Sequence, residues 1–491
     1  MGVYVYKGDI SLLLLVLALI WFIVHIAVII MIENKQPSKI VAWLVVFFMC
    51  PFIGFLLYYF LGKSYPHRRS FRSKEIPMVL RQRSHGNSHD QSVHRESTNP
   101  SNRVMRQLHS NERLAQFIQR LPSRTLSFNN DIVILTNPKT CYQAILEAIL
   151  DAQYTIHFQF YTIRDDEIGT QFQEALIQKA KQGVKVKIIF DGMGSYPLSY
   201  AYIEKMKQYD IEICEFLPPV STFIKKKLNY RNHRKVVVLD GTIGFLGGIN
   251  IGDEYVGSDP ALGFWRDTHV KLVGDAVHQL QSIFLNDWFL GTGQSIPDQR
   301  ICPKRLQDEG YAVQIIESGP DLHEDPILEM FFAGIIAARE RIYMATPYFI
   351  PDISVRMGLR NAAASGIDVR IILPDKVDSM LAKYASQSFM EELMHAGVKF
   401  YSYQKGFMHA KIMIIDHTMV TLGSANMDMR SFYSNFEVLA VMYDLEIIER
   451  IEMDFLKDIQ DSTEINLSKF KERTLLVKGK ECMARLLSPF L

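Results

Sequence analysis

A chain of 491 residues with a formal net charge of +1 is long enough for two core-forming domains and additional segments. It lacks the global basic field that a nucleic-acid binder carries. Its five cysteines (Cys50, Cys141, Cys214, Cys302 and Cys482) are scattered and odd in number. Without metal-ligand spacing they indicate neither a disulfide framework nor a zinc site, and fit a reducing compartment.

In chain order, the first expected elements are two apolar helices. Ile10 to Ile32 has no formal charge apart from a partial one on His25, and Ile40 to Gly62 is a second uncharged run. Each exceeds the roughly 20 residues that cross a bilayer. Trp43, Tyr58 and Tyr59 stand near the ends of the second run, where interfacial aromatics sit. The expectation is a transmembrane hairpin over residues 1–65. Between Lys63 and Arg106 there are ten Lys/Arg against three carboxylates, whereas the hairpin loop offers Lys35 and Lys39. The positive-inside rule therefore puts the N-terminus and everything after Lys63 in the cytoplasm of a multi-pass membrane protein. The linker at 66–110, rich in Ser, Asn, His and Gln after Ser84, is assigned no fold. Its charge suits contact with anionic lipid headgroups.

From about Asn111 the chain reads as an α/β region in two halves, 111–305 and 306–491. In the first, Tyr154 to Phe160 is a strand, Phe172 to Lys181 a helix ending at Gly183, and Val184 to Phe190 a strand. In the second, Arg341 to Ala345 is a strand, a helix ends at Ser365-Gly366, and Val369 to Leu373 is the next strand. This alternation predicts parallel sheets covered by helices. Phe223 to Leu228 mixes lysines with apolar residues, which fits either a membrane-surface contact or a solvated loop.

Each half then reaches the same pattern. His233-Arg234-Lys235, four apolar residues and Asp240 lead to Gly247-Gly248-Ile249-Asn250. His409-Ala410-Lys411, four apolar residues and Asp416 lead to Gly423-Ser424-Ala425-Asn426. The apolar residues read as a strand buried on both faces, with His and Lys projecting to one side. An imidazole beside a fixed ammonium and a carboxamide suits an anionic phosphodiester: Lys235, Lys411, Asn250 and Asn426 hold its oxygens, and a histidine attacks phosphorus or moves a proton. Exchange of one diester for another needs two such imidazoles on opposite faces of one phosphorus. The duplication therefore predicts one site at the seam of the halves. The aspartates Asp240 and Asp416 complete the two motifs, although their odd spacing takes them off the His/Lys face. Gly241 to Gly248 has no dinucleotide or P-loop pattern, so neither a cofactor nor a metal is expected.

These paired motifs resemble the signature of the phospholipase D superfamily. The segments around them resemble its bacterial cardiolipin synthases: Asn250-Ile251-Gly252-Asp253-Glu254-Tyr255, Trp265-Arg266-Asp267-Thr268-His269-Val270, Thr346-Pro347-Tyr348-Phe349-Ile350-Pro351-Asp352 and Asn435-Phe436-Glu437. The resemblance covers nearly the whole chain, weakly from Tyr65 to Arg106. It implies that His233 is the nucleophile forming a phosphohistidine and that His409 is the acid and base, an order the residues themselves leave open. Asp267 and Glu437 would orient the opposite histidines, and Ser424 would add a hydroxyl that Gly248 cannot. The activity implied is transfer of a phosphatidyl group between two phosphatidylglycerol molecules, giving cardiolipin and glycerol. A hydrolase, or a transphosphatidylase using another alcohol, is the alternative. Two apolar spans and near-neutral charge argue against a nuclease, and two complete motifs argue against an inert scaffold. The expected partners are phosphatidylglycerol and an anionic bilayer, without nucleic acid; a homo-oligomer is compatible with the sequence.

Overall fold

The computed structural model describes residues 126–219, 222, 229–296, 310–322 and 324–491, together with parts of 12–58 and 114–118. Helix α1 (Pro37–Met49) spans 13 residues. At 1.5 Å per residue it is about 20 Å long, short of the ~30 Å hydrocarbon layer. Among the described residues no helix is long and apolar enough to cross a membrane, so the two expected spans are not found there. The linker at 66–110 and the lysine-rich 223–228 stretch lie outside the described residues.

The first half runs β1 (Ser127–Thr136), α2 (Pro138–Asp151), β2 (Thr155–Phe160), α3 (Glu167–Lys181), β3 (Lys185–Asp191), α4 (Tyr200–Lys207) and β4 (Glu212–Phe216). It continues through β5 (Arg231–Asn232), β6 (Val236–Leu239), β7 (Ile243–Gly247), β8 (Phe264–Arg266), β9 (Thr268–Gly274) and α5 (Asp275–Thr292). The second half repeats the plan with β10 (Tyr311–Ser318), α6 (Pro326–Ala337), β11 (Arg341–Ala345), β12 (Phe349–Ile350), α7 (Ile353–Ala364), β13 (Asp368–Pro374), α8 (Met380–His395) and β14 (Lys399–Tyr403). There follow β15 (Gly406–Met408), β16 (Ile412–Ile415), β17 (Met419–Gly423), β18 (Met427–Asp428), α9 (Met429–Tyr433), β19 (Asn435–Met442), α10 (Leu445–Gln460), β20 (Ser462–Glu464), α11 (Leu467–Lys471) and α12 (Leu475–Leu486). Local chemistry sets these boundaries. Helix α3, for example, starts five residues before the predicted Phe172, because the Asp166 carboxylate accepts the Gly169 N–H and caps it.

The sheet is mixed, which corrects the parallel arrangement expected from sequence. Strands β2, β3 and β4 are parallel, as are β11, β13 and β14. The motif strands β6 and β16 pair antiparallel with β2 and β11, then with β7 and β17. The reason is local: three residues separate β6 from β7, and so short a connection can only reverse the chain. The two halves present the same order, β4-β3-β2-β6-β7-β9-β1 and β14-β13-β11-β16-β17-β19-β10, and β1 pairs with β10 to join them.

Burial explains why the halves cannot be separated. Val236, Val238, Leu246, Val270 and Leu272 of the first half share one core with Ile412, Ile414, Val420, Leu422, Val438 and Ala440 of the second. Helices α2 and α3 cover the outer side of the first half, and α6, α7 and α8 that of the second. Each half is thus sealed by its own helices outside and by the other half inside.

Candidate active site

Two short parallel pairings bring the motifs together. In β15 and β8, Phe407 is in register with Trp265 and Met408 with Arg266. His409 therefore falls opposite Asp267, and its N–H donates to the Arg266 carbonyl at 2.8 Å. In β5 and β19, Arg231 is in register with Asn435 and Asn232 with Phe436. His233 then falls opposite Glu437, with its N–H on the Phe436 carbonyl at 3.0 Å. Each half reaches across to the carboxylate of the other.

The side chains complete the exchange. His409 Nδ1 lies 2.6 Å from Asp267 Oδ2, and His233 Nδ1 lies 3.1 Å from both oxygens of Glu437. A carboxylate at Nδ1 fixes the tautomer with the proton on that nitrogen and leaves Nε2 with a lone pair. Burial lowers the His233 pKa to about 4; Glu437 acts against this, while Lys235 and Lys411 add to it. Burial, then Lys411, takes His409 to about 3, against the pull of Asp267. Both imidazoles are therefore neutral at pH 7. Burial would raise both carboxylates, but Lys411 and His409 hold Asp267 below its ordinary value, and His233 and Lys235 do the same for Glu437.

The lysines are buried and form no ion pair with a carboxylate among the described residues. Lys235 Nζ donates to the His233 carbonyl at 2.7 Å, and Lys411 Nζ to the His409 carbonyl at 2.6 Å. Burial takes Lys235 well below its usual pKa and Lys411 to about 8. Two desolvated ammonium groups at the seam are costly until an anion arrives, which suits them to a phosphodiester. The Asn250 carboxamide accepts the Thr162 N–H at 3.1 Å through Oδ1, and its NH2 has no partner among the described residues. Asn426 gives one N–H of Nδ2 to Asp428 at 3.0 Å and keeps the second.

Three predicted site residues act elsewhere. The Asp240 carboxylate accepts the N–H groups of Gln153, Tyr154 and Thr155 at 2.7 to 2.8 Å. Asp416 does the same for Arg339, Glu340 and Arg341 at 2.8 to 2.9 Å. Four strand residues carry each aspartate to the far end of β6 or β16, where it anchors the entry to β2 or β11. Neither belongs to the catalytic group. Ser424 is fully buried. Its hydroxyl donates to Glu437 and accepts the Val438 N–H, so it serves the carboxylate rather than a ligand.

Arg234, the middle residue of the first motif, was not singled out from sequence. It is fully buried, with Nη1 2.6 Å from Asp287 on α5, Nε on the Glu437 carbonyl at 3.1 Å and Nη2 on the Ser318 carbonyl at 3.0 Å. It clamps the two halves directly behind His233. The available signal was a guanidinium between two site residues where the second motif has Ala410.

Residues 145–288 and 332–459 match the family described as "Cardiolipin synthase, PLD-like domain". The chain belongs to that family. Residues 17–63 match a second family, described as "Phospholipase_D-nuclease N-terminal". Cardiolipin synthase 2 of Bacillus anthracis is 41% identical over 471 residues, covering 95% of this chain and 89% of that protein. Cardiolipin synthase of Geobacillus kaustophilus is 39% identical over 476 residues, covering 96% and 92%. Among solved structures, phosphatidylserine synthase of Haemophilus influenzae superposes with a TM-score of 0.61 at 13% identity, over 78% of this chain and all of that one. At that identity the likeness is one of fold.

Proposed function

We infer that this family member is a phosphatidyltransferase that converts two phosphatidylglycerol molecules into cardiolipin and glycerol. The observation that carries the reading is the pair of neutral imidazoles, each held by the other half's carboxylate, beside two buried ammonium groups. The 39–41% identity to cardiolipin synthases over nearly the whole chain supports the substrate class.

By the family resemblance, His233 Nε2 attacks the phosphorus of the first lipid while His409, which takes up a proton on Nε2 when the anionic diester binds beside it, gives that proton to the departing glycerol. A phosphatidyl-histidine results. His409, now neutral, takes the proton from the hydroxyl of a second phosphatidylglycerol, whose oxygen displaces His233 and yields cardiolipin. One P–O bond is broken and one is formed, so no nucleotide is consumed. Lys235, Lys411, Asn250 and Asn426 hold the equatorial oxygens; Asp267 and Glu437 hold the imidazoles in their working tautomer.

The domain plan proposed is a membrane hairpin (1–65), a basic linker (66–110) and two catalytic halves (111–305 and 306–491). The apolar runs at 10–32 and 40–62, the match over residues 17–63 and the exposure of Leu12, Leu15, Leu19 and Phe48 support the hairpin. The charge asymmetry around it supports a cytoplasmic catalytic region.

The test uses purified full-length protein with phosphatidylglycerol as the sole lipid and no CTP or CDP-lipid, with products read by mass spectrometry beside a His233→Ala control. Cardiolipin and glycerol in equal amounts, absent from the control, are expected. Phosphatidic acid as the main product would make the enzyme a hydrolase, and no turnover would remove the lipid reading.

A further inference from the structure

Each crossing of histidine and carboxylate is backed by a buried arginine that pairs with an aspartate in the last third of a helix. Behind His233 the arginine is Arg234 and the aspartate Asp287 on α5, with Nη1 and Oδ1 2.6 Å apart. Behind His409 the arginine is Arg266, whose Nε lies 2.8 Å from both oxygens of Asp458 on α10. All of these side chains are buried.

A buried ion pair adds little to stability over an apolar filling of similar volume, and this fold accepts such a filling at the same places. The residues flanking His409 are Met408 and Ala410, both part of the core shared by the halves. Those flanking His233 are Asn232 and Arg234. The residue before Glu437 is Phe436, in an apolar cluster; the one before Asp267 is Arg266. Each crossing therefore carries one arginine, on the histidine segment in the first and on the carboxylate segment in the second.

What the arginines hold accounts for them. Around His233 the pair brackets the histidine. Asp287 Oδ1 takes Arg234, while Oδ2 accepts Asn232 Nδ2 at 2.9 Å and Gln159 Nε2 at 2.6 Å. The residues on both sides of His233 are thus fixed to one carboxylate. Arg234 Nε also donates to the Glu437 carbonyl at 3.1 Å, which sets the main chain of Glu437 against that of the histidine.

Around His409 the pair brackets the carboxylate instead. Arg266 Nη1 donates to the Asp267 carbonyl and to Thr268 Oγ1, both at 2.8 Å. The Arg266 carbonyl accepts the His409 N–H, also at 2.8 Å. A guanidinium presents its N–H groups in a rigid fork, so one arginine serves a carboxylate and a carbonyl together.

We propose that Arg234 with Asp287, and Arg266 with Asp458, are positioning pairs, each dedicated to one histidine. The first holds the nucleophile His233 against Glu437. The second holds Asp267, and through it His409, for proton transfer. The inference rests on the phosphatidyl-transfer reading above.

The two pairs act on different steps, and this separates positioning from general support of the fold. A phosphodiester with a nitrophenol leaving group needs the nucleophile and no proton donor, because nitrophenolate departs as the anion; phosphatidylglycerol needs both histidines. Full-length protein is mixed with the nitrophenyl diester at saturation, and the rate constant of the first nitrophenolate released is read by stopped flow. That constant belongs to folded molecules alone, and its amplitude counts them for a parallel measurement of cardiolipin formed from phosphatidylglycerol.

In Asp287→Asn the release constant should fall on the order of 10²-fold, the effect of misplacing a reacting atom by about 1 Å, and cardiolipin formation should fall with it. In Asp458→Asn release should stay near wild type while cardiolipin formation per active molecule falls by a similar factor. Arg234→Lys and Arg266→Lys should reproduce the two patterns, because an ammonium keeps the buried ion pair, and with it the fold, but does not also reach the carbonyl. Release slowed as much by Asp458→Asn as by Asp287→Asn, or cardiolipin formation unchanged in either, overturns the assignment. Wild-type protein that makes no cardiolipin would instead refute the transferase reading itself.

Discussion

The two halves hold their histidines by the same backbone device and different side chains. His409 is held by an aspartate, His233 by a glutamate one methylene longer. The adjustment lies on the neighbouring strand. A Cβ at Gly248 would come within 2.3 Å of Asp267 Oδ1, so the short carboxylate lies directly against a bare backbone. At the equivalent place Ser424 supplies a hydroxyl that steadies the longer and freer Glu437, helped by Asn435 Nδ2 at 3.1 Å from Oε1. The difference shows that Gly248 and Ser424 are each matched to a carboxylate, not interchangeable remnants of a duplication.

The largest effects come from breaking the pair itself. His233→Ala and His409→Ala should each reduce transfer by about four orders of magnitude or more. A phosphodiester with a nitrophenol leaving group separates their roles, because that group departs without a proton. His409→Ala should still release nitrophenol in a single turnover, whereas His233→Ala should not; the opposite pattern would exchange nucleophile and acid.

Next come the carboxylates. Asp267→Asn and Glu437→Gln should each cost on the order of 10²–10⁴-fold in kcat by favouring the wrong tautomer. Gly248→Ser should approach the Asp267→Asn loss because the added atoms displace that carboxylate. Ser424→Ala, which removes one hydrogen bond to an ion, should cost about tenfold. Similar losses at Gly248 and Ser424 would contradict the matching argued above.

The pH profile sharpens the comparison further. With the His233 imidazole depressed to about 4, the acid limb of kcat/KM, where the nucleophile becomes protonated, should lie well below the 6.5 of an ordinary histidine. The alkaline limb should fall near pH 8 as Lys411 loses its charge, and Lys411→Arg should move it upward. Stability follows the same sign. Because the folded histidines bind protons more weakly than unfolded ones, their contribution is full above about 6.5 and is lost as pH falls toward 4. A stability curve flat between pH 7 and 4 would be the contrary result. The smallest catalytic effect belongs to Asp240→Ala and Asp416→Ala. Each should cost about 1–3 kcal/mol of stability by orphaning backbone N–H groups, with kcat per folded molecule nearly unchanged.

Much of this site was legible because a duplicated motif tests itself. The four apolar residues after each lysine could only be a buried strand, and β6 and β16 are that strand. The odd spacing took Asp240 and Asp416 off the His/Lys face; it did not show that the His–Lys segment precedes the strand, nor which backbone groups the aspartates hold. That depends on where the strand ends, a positive backbone φ of 52° at Asp240 and 49° at Asp416. The mixed sheet was missed because β6 and β7 lie in one apolar run, in which the turn at Asp240-Gly241 outweighs the strand–helix alternation upstream. Arg234 was invisible for a different reason: its partners are tertiary, Asp287 on α5 of its own half and the Glu437 and Ser318 carbonyls of the other.

The crossed registers have one further result, which concerns synthesis. His233 waits for a carboxylate 204 residues further along the chain, and His409 leans back on one 142 residues before it. While the ribosome is still making the second half, His233 of the first has no orienting carboxylate. The crossed pairs can therefore form only once β19 has been added. The crossing acts as a safety catch, released by completion of the polypeptide.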